Sequence, residues 1–126
     1  MSESRIMELC QIVRETSESI HKYLQNGHLA QIYENALVNR LKKLGLEVEQ
    51  QFALKVFDED GTILGEYLTD LFIEKSLIVE VKSVKTISDL EIEATKACLR
   101  FAKIEHGMLI NFGNAKLQIN TYVFNT

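Results

Sequence analysis

A mixed β-sheet flanked by helices, an α/β fold in the element order ααβββαββ, is the architecture this sequence predicts. Three observations lead to it. Two amphipathic stretches open the chain, and three strand-like stretches joined by short polar breaks read as an antiparallel meander. A strand, a helix and a strand then follow in succession from Leu77 to Phe112, which implies a parallel crossover and a sheet with helices on its faces. With 126 residues, 46% of them hydrophobic and 25% charged, the chain is long enough for one domain with its own core and too short for two. Residues 1–126 are therefore expected to form a single domain.

From about Arg5 to Gln25, Ile6, Leu9, Cys10, Val13, Ile20, Tyr23 and Leu24 follow helical spacing. The stripe weakens between Thr16 and Ser19, where a bend or fraying is expected, and Asn26 and Gly27 end the helix. The second helix, His28 to Leu44, carries one apolar stripe of Leu29, Ile32, Tyr33, Ala36, Leu37, Leu41 and Leu44. Glu34 lies off that stripe, one turn beyond Ala30, and Gly45 stops the helix. Arg40, Lys42 and Lys43 suit the negative end of its dipole.

Glu47 to Phe57 alternates, with Val48, Phe52, Leu54 and Val56 on one face and Glu49, Gln51 and Lys55 on the other. Asp58, Glu59, Asp60 and Gly61 make a turn, too short and too poor in glutamate for a calcium loop. The next two strands form a hairpin within Leu64 to Val84, broken only by Glu74, Lys75 and Ser76. Ser88 followed by Glu91 is a capping box, opening a helix whose buried stripe is Leu90, Ala94, Ala97, Cys98, Phe101 and Ile104. Met108 to Phe112 and Leu117 to Phe124 are the last two strands, and the final one could leave an open edge for a homodimer.

Composition narrows the function classes. The net charge of -4 argues against strong indiscriminate nucleic-acid binding, which depends on phosphate neutralisation, but leaves room for a local basic groove. No apolar run approaches the length needed to cross a bilayer, and MSESRIMELC is not organised as a signal peptide, so a cytoplasmic protein without membrane association is expected. Cys10 and Cys98 fall at apolar helical positions and read as buried free thiols. His21, His28 and His106 are scattered without ligand spacing, and no phosphate-cradling glycine loop or nucleophile elbow occurs.

What remains is the hairpin. With a loop of Glu74, Lys75 and Ser76, Asp70 faces Glu80 across the strands and Lys82 points to the same side. A slip of one residue would separate them. Two explanations fit charges placed in apolar strands. One is a cross-strand ion pair on a half-exposed face, the commoner arrangement on pattern alone. The other is a site for Mg²⁺, held by two carboxylates and keeping several waters, with the lysine beside a reacting phosphate.

Five segments in order resemble the small bacterial GxxExxY family, placed within the PD-(D/E)xK nuclease-like superfamily. They are Gly27 with Tyr33 and the following Glu34-Asn35-Ala36-Leu37, Leu44-Gly45-Leu46, Leu64-Gly65-Glu66-Tyr67 leading to Asp70-Leu71, Val79-Glu80-Val81-Lys82, and Leu109-Ile110-Asn111-Phe112-Gly113. The resemblance runs from about Ile20 to the C-terminus. It implies a restriction-endonuclease-like core, Asp70 and Glu80 as ligands of Mg²⁺ or Mn²⁺, Lys82 as the catalytic lysine, and a nucleic-acid phosphodiester as substrate. It also implies departures: the name-giving glutamate is replaced by Ala30, and the glutamine usual on the helix after the hairpin by Thr95. Glu34, on the same flank as Ala30, would support the ion. The alternative that these departures raise is a nuclease-like interaction module without catalysis.

Overall fold

The computed structural model describes residues 1–124. It contains the eight expected elements: α1 (Glu3–Leu24), α2 (Ala30–Lys43), β1 (Val48–Phe57), β2 (Ile63–Ile73), β3 (Leu77–Lys82), α3 (Asp89–Ala102), β4 (His106–Asn111) and β5 (Gln118–Val123). The sheet runs β1-β2-β3-β4-β5. β3 and β4 are parallel and the other neighbouring pairs antiparallel, as the strand–helix–strand succession requires.

β3 holds the centre, with Leu77 to Val81 all buried. Its odd-numbered residues, together with Leu71 and Ile73 of β2, join a core with Leu9, Val13, Ile20, Tyr33, Leu37 and Leu41 of α1 and α2. Ile78 and Phe72 face the opposite layer and meet Cys98 and Leu99 of α3. The hairpin pairs Leu71 with Val79, Phe72 with Ile78 and Ile73 with Leu77, so Glu74, Lys75 and Ser76 form the loop in the register that loop length implied. Glu74 and Lys75 both adopt left-handed backbone there, and Arg5 pins Glu74 at 3.2 Å.

Four sequence expectations need correction. α1 runs unbroken for 22 residues, because Thr16 and Ser17 are themselves buried and small enough to continue the inward face. Cys10 is only half-buried, whereas Cys98 is buried. α2 is turned relative to its apparent stripe: Leu29, Ile32 and Leu44 are 77%, 44% and 62% exposed, and Tyr33, Glu34, Leu37, Val38 and Leu41 face inward. Tyr33 sets this rotation. Its ring stacks on Phe112 with centroids 4.5 Å apart and planes 8° from parallel, and its hydroxyl donates to Gln25 O.

The fourth correction concerns β1. Val48 joins the α1–α2 core, but Phe52 and Leu54 pack on the α3 side, with Phe52 5.1 Å from Phe72. Strand alternation would keep Val48 and Phe52 on one face. It is inverted at Gln51, whose φ of 53° is left-handed. β1 and β2 keep a constant register on both sides of this point, Gln50 opposite Leu71 and Phe52 opposite Thr69, so both strands of the ribbon turn over together.

Two polar details fasten the end of the sheet where β3 and β4 finish. The buried Asn111 carboxamide accepts from Val84 N and Gly113 N and donates to Val84 O, holding the chain that leaves β3 against the chain that leaves β4. A Cβ on Gly113 would collide with the backbone of Val84. Gly113→Ala is therefore expected to cost about 1–3 kcal/mol in urea denaturation, since backbone cannot step aside as a flexible side chain would. A loss below about 0.5 kcal/mol would show that the junction yields.

At α3, Ser88 caps the first turn by accepting from Glu91 N, but Glu91 does not complete the reciprocal bond expected of a capping box. The Asp58–Gly61 segment is an exposed turn closed by Gly61 N donating to Asp58 O. β5 forms an edge of the sheet. No helix among the described residues is long and apolar enough to cross a membrane.

Candidate active site

The ladder between β2 and β3 stops after Leu71 and Val79. The next donor on β3, Val81 N, is taken by the side chain of Asp70, whose Oδ2 accepts it at 2.8 Å. Asp70 thus substitutes its carboxylate for a strand carbonyl, which satisfies an otherwise unpaired backbone group and places the acid in the gap between the two strands. Its neighbour Thr69 donates from Oγ1 to Oε1 of Glu80 at 2.9 Å.

Glu80 stands on the α3 face of the central strand and is 5% exposed. Burial first, then the charge of Asp70 and a hydrogen bond with it, push its carboxyl up to about 8, against which the Thr69 hydroxyl and the charge of Lys82 act in the opposite direction. Cys98 of α3 lies close enough for Glu80 to add to the burial that pushes its thiol up to about 12. Burial, then Glu80 and Asp70, also raise the Tyr67 hydroxyl. These mutual influences place Asp70, Glu80, Tyr67 and Cys98 in one neighbourhood, roofed by α3.

Asp70 and Glu80 are therefore neighbours, although Asp70 meets β3 through Val81 N and is not the direct cross-strand partner of Glu80 that the loop length implied. Lys82 ends β3, at the carboxyl end of the parallel pair, where open α/β sheets hold their ligands. It makes no ion pair among those found in the described residues, so the cross-strand salt bridge is not what the hairpin charges form. A cavity of about 450 Å³ lies at the other end of the sheet, lined by Lys75, Ser76 and His106, and takes no part in this arrangement.

Glu34 occupies a different place from its neighbours in the sequence pattern. Buried on α2, it accepts from Gln50 Nε2 at 2.6 Å and from Gln51 Nε2 at 3.0 Å. Gln51 in turn donates to Asp70 Oδ1 at 3.1 Å, so Glu34 and Asp70 communicate through a carboxamide. Thr95, standing where the resemblance implies a glutamine, is buried and spends its hydroxyl on Glu91 O of its own helix. The sequence alone gives Thr69, Gln50, Gln51 and Asn111 no part in the site. The available signal was a pair of glutamines interrupting a strand between Val48 and Phe52, and an asparagine inside an apolar strand.

The donors suit a hard divalent cation. Asp70 and Glu80 offer oxygen, no histidine or thiolate competes as a soft ligand, and the buried carboxyl beside a second acid is short of positive charge. Among the described residues no three His, Cys, Asp or Glu side chains are placed to hold one ion together, so the protein would supply two carboxylates and the ion would keep waters in its remaining positions.

Comparison with known proteins agrees with this geometry. Neither the curated proteins nor the solved structures provide a match to the chain. The sequence model of the PD-(D/E)XK nuclease superfamily, however, matches residues 7–122, nearly the whole chain and both strands of the hairpin. A mixed five-stranded sheet with helices on both faces is consistent with the restriction-endonuclease-like fold of that group, and the chain belongs to the PD-(D/E)XK nuclease superfamily.

Proposed function

We propose that the protein is a metal-dependent nuclease that hydrolyses phosphodiesters of DNA or RNA, of the GxxExxY type within its superfamily. Asp70 and Glu80 would hold Mg²⁺ or Mn²⁺, Lys82 would bear on the attacking water and the phosphate, and Glu34 would act from behind Asp70. The observation that carries this reading is the convergence of Asp70 and Glu80 at a buried point of the central strand, with Lys82 at its carboxyl end.

A bound divalent ion would supply Lewis-acid polarisation of a phosphoryl oxygen and lower the pKa of a bound water. The chain's own residues do the rest. Val81 N and Gln51 hold one oxygen of Asp70 each, which fixes the carboxylate plane. Thr69 fixes Glu80, and α3 excludes bulk water from its side. Lys82, in no ion pair found among the described residues, would place its Nζ against a phosphate and stabilise charge there.

A calorimetric titration with Mn²⁺ followed by cleavage assays on single- and double-stranded DNA and RNA tests this. Wild-type protein is expected to bind Mn²⁺, Asp70→Ala to abolish binding, and Lys82→Ala to bind the ion but cut about 10²-fold more slowly. The second reading, a nuclease-like interaction module, draws on Ala30 and on the Thr95 hydroxyl being turned to its own helix. It predicts no heat with Mn²⁺ and no cleavage that distinguishes wild type from Lys82→Ala.

A further inference from the structure

Gln51 is exposed, lies in the first strand of the sheet, and nevertheless has a left-handed backbone at φ 53°. Residues other than glycine adopt that conformation in a strand only where the surroundings over-determine it. Here the surroundings are two acids. Gln51 Nε2 meets Oε1 and Oε2 of Glu34 at 3.0 and 3.2 Å and Oδ1 of Asp70 at 3.1 Å, so a group with two N–H bonds spans carboxylates from two different elements.

The inverted backbone is what makes this reach available. With ordinary alternation, the side chains of Gln50 and Phe52 would share a face and that of Gln51 would take the other. Instead Gln50 faces α2, where it donates to Glu34 and Asn35, and Phe52 faces the α3 layer. Gln51 is left at the edge of the sheet between the two layers, beside the point where Asp70 leaves the ladder.

We propose that Gln51 is a positioning residue for the ion site: its carboxamide, set by the left-handed turn in β1, holds Asp70 in the orientation in which it binds a divalent cation. The inference rests on the ion-binding reading of Asp70 and Glu80 given above. Asp70 has two oxygens, and each accepts one N–H, Oδ2 from Val81 and Oδ1 from Gln51. Each keeps a lone pair for a ligand, while rotation of the carboxylate is blocked. Such outer partners of a ligand typically govern metal affinity by about 10–100-fold. The competing role is packing alone, in which Gln51 merely satisfies the buried Glu34.

Mn²⁺ affinity, measured by calorimetry on the purified protein and its variants, separates the two. Gln51→Gly removes the carboxamide and relieves the backbone. It is expected to unfold no earlier than wild type without ion, yet to bind Mn²⁺ about 10–100-fold more weakly. Gln51→Ala is expected to lose the same affinity and some thermal stability as well, because alanine keeps the strained backbone. Adding Glu34→Gln to Gln51→Gly removes the acid that packing would need to neutralise, and affinity is expected to stay low.

Binding by Gln51→Gly within about twofold of wild type, with binding lost in Asp70→Ala, overturns the positioning role and leaves the ion site standing. Recovery of wild-type affinity in the Glu34→Gln, Gln51→Gly pair overturns it in favour of packing. Equal behaviour of wild type and Asp70→Ala towards Mn²⁺ overturns the ion site itself, and the role of Gln51 with it.

Discussion

Replacing Glu80 by glutamine is expected to make the protein more stable and, in the same step, to remove the divalent-ion binding proposed for this site. In the folded chain the Glu80 carboxyl is held up to about 8 from an ordinary 4.5, by burial and then by Asp70. The folded state therefore binds this proton more tightly than the unfolded chain. Below about pH 4.5 both states hold it and the contribution is complete. Between 4.5 and 8 the unfolded chain releases the proton while the folded one keeps it, and stability falls as pH rises. Above 8 the folded carboxyl ionises too, and the penalty levels off. Its size at full ionisation is on the order of 2–5 kcal/mol, a large part of a small domain's net stability.

Glutamine cannot ionise, and its amide oxygen can still accept from Thr69. Urea denaturation at about pH 5, 7 and 9 should then show wild type and Glu80→Gln alike at the acid end and increasingly separated towards alkali, with the variant more stable. Adding Mn²⁺ at about pH 8 should restore much of the difference to wild type by mass action and give little to the variant. Parallel pH profiles for the two proteins would show that the Glu80 carboxylate is not under this strain. A residue that costs stability in the free protein and is expected to recover it with an ion is what a functional position looks like when stability and activity pull apart.

The contrast between β3 and its surroundings shows how far local pattern carries. The hairpin register was legible because a three-residue polar break between apolar strands leaves few ways to pair them, and alternation then assigns each charge a side. The crossover to β4 was legible for the same kind of reason, since strand, helix and strand in succession leave essentially one handed connection. The rotation of α2 was not. Leu29, Ile32 and Leu44 make the more apolar stripe, and Glu34, turned inward with Tyr33, is tolerated there because Gln50 and Gln51, more than a dozen residues away in sequence, satisfy its carboxylate. Burial of an acid is decided by its partners, and these partners are non-local.

The turnover of the β1–β2 ribbon was illegible for a further reason. A left-handed residue in a strand is ordinarily announced by glycine or asparagine, and here it is a glutamine whose strain is offset by hydrogen bonds to two acids. Alternation read straight through Gln51 puts Phe52 and Leu54 in the wrong layer. It also makes Asp70 a simple cross-strand partner of Glu80, when Asp70 instead fills a vacant ladder position and Thr69 takes up the bond to Glu80. The charged residues of the candidate site stood out in one strand pair, whereas the way they are held depends on β1 and α2.

Tyr33→Ala is expected to be the most damaging substitution away from the site, costing about 3–5 kcal/mol. Tyr33 has no exposed surface, and it lies face to face with Phe112, which follows β4, so it joins α2 to the end of β4 within one core layer. Removing the ring leaves a cavity beside Phe112 and Leu37, which can close only if α2 shifts. Its hydroxyl donates to Gln25 O and accepts from His28 N at 3.2 Å, closing the connection between α1 and α2. Tyr33→Phe keeps the stack and loses these bonds, so about 1–2 kcal/mol is expected. Urea denaturation of both variants checks the division: equal losses would assign the effect to the hydroxyl, and a loss under about 1 kcal/mol for alanine would show that the stack does not set the helix. Because Glu34 is the next residue on α2, freeing the helix also frees one of the two acids that Gln51 spans, and Mn²⁺ affinity should fall in Tyr33→Ala while Tyr33→Phe stays close to wild type.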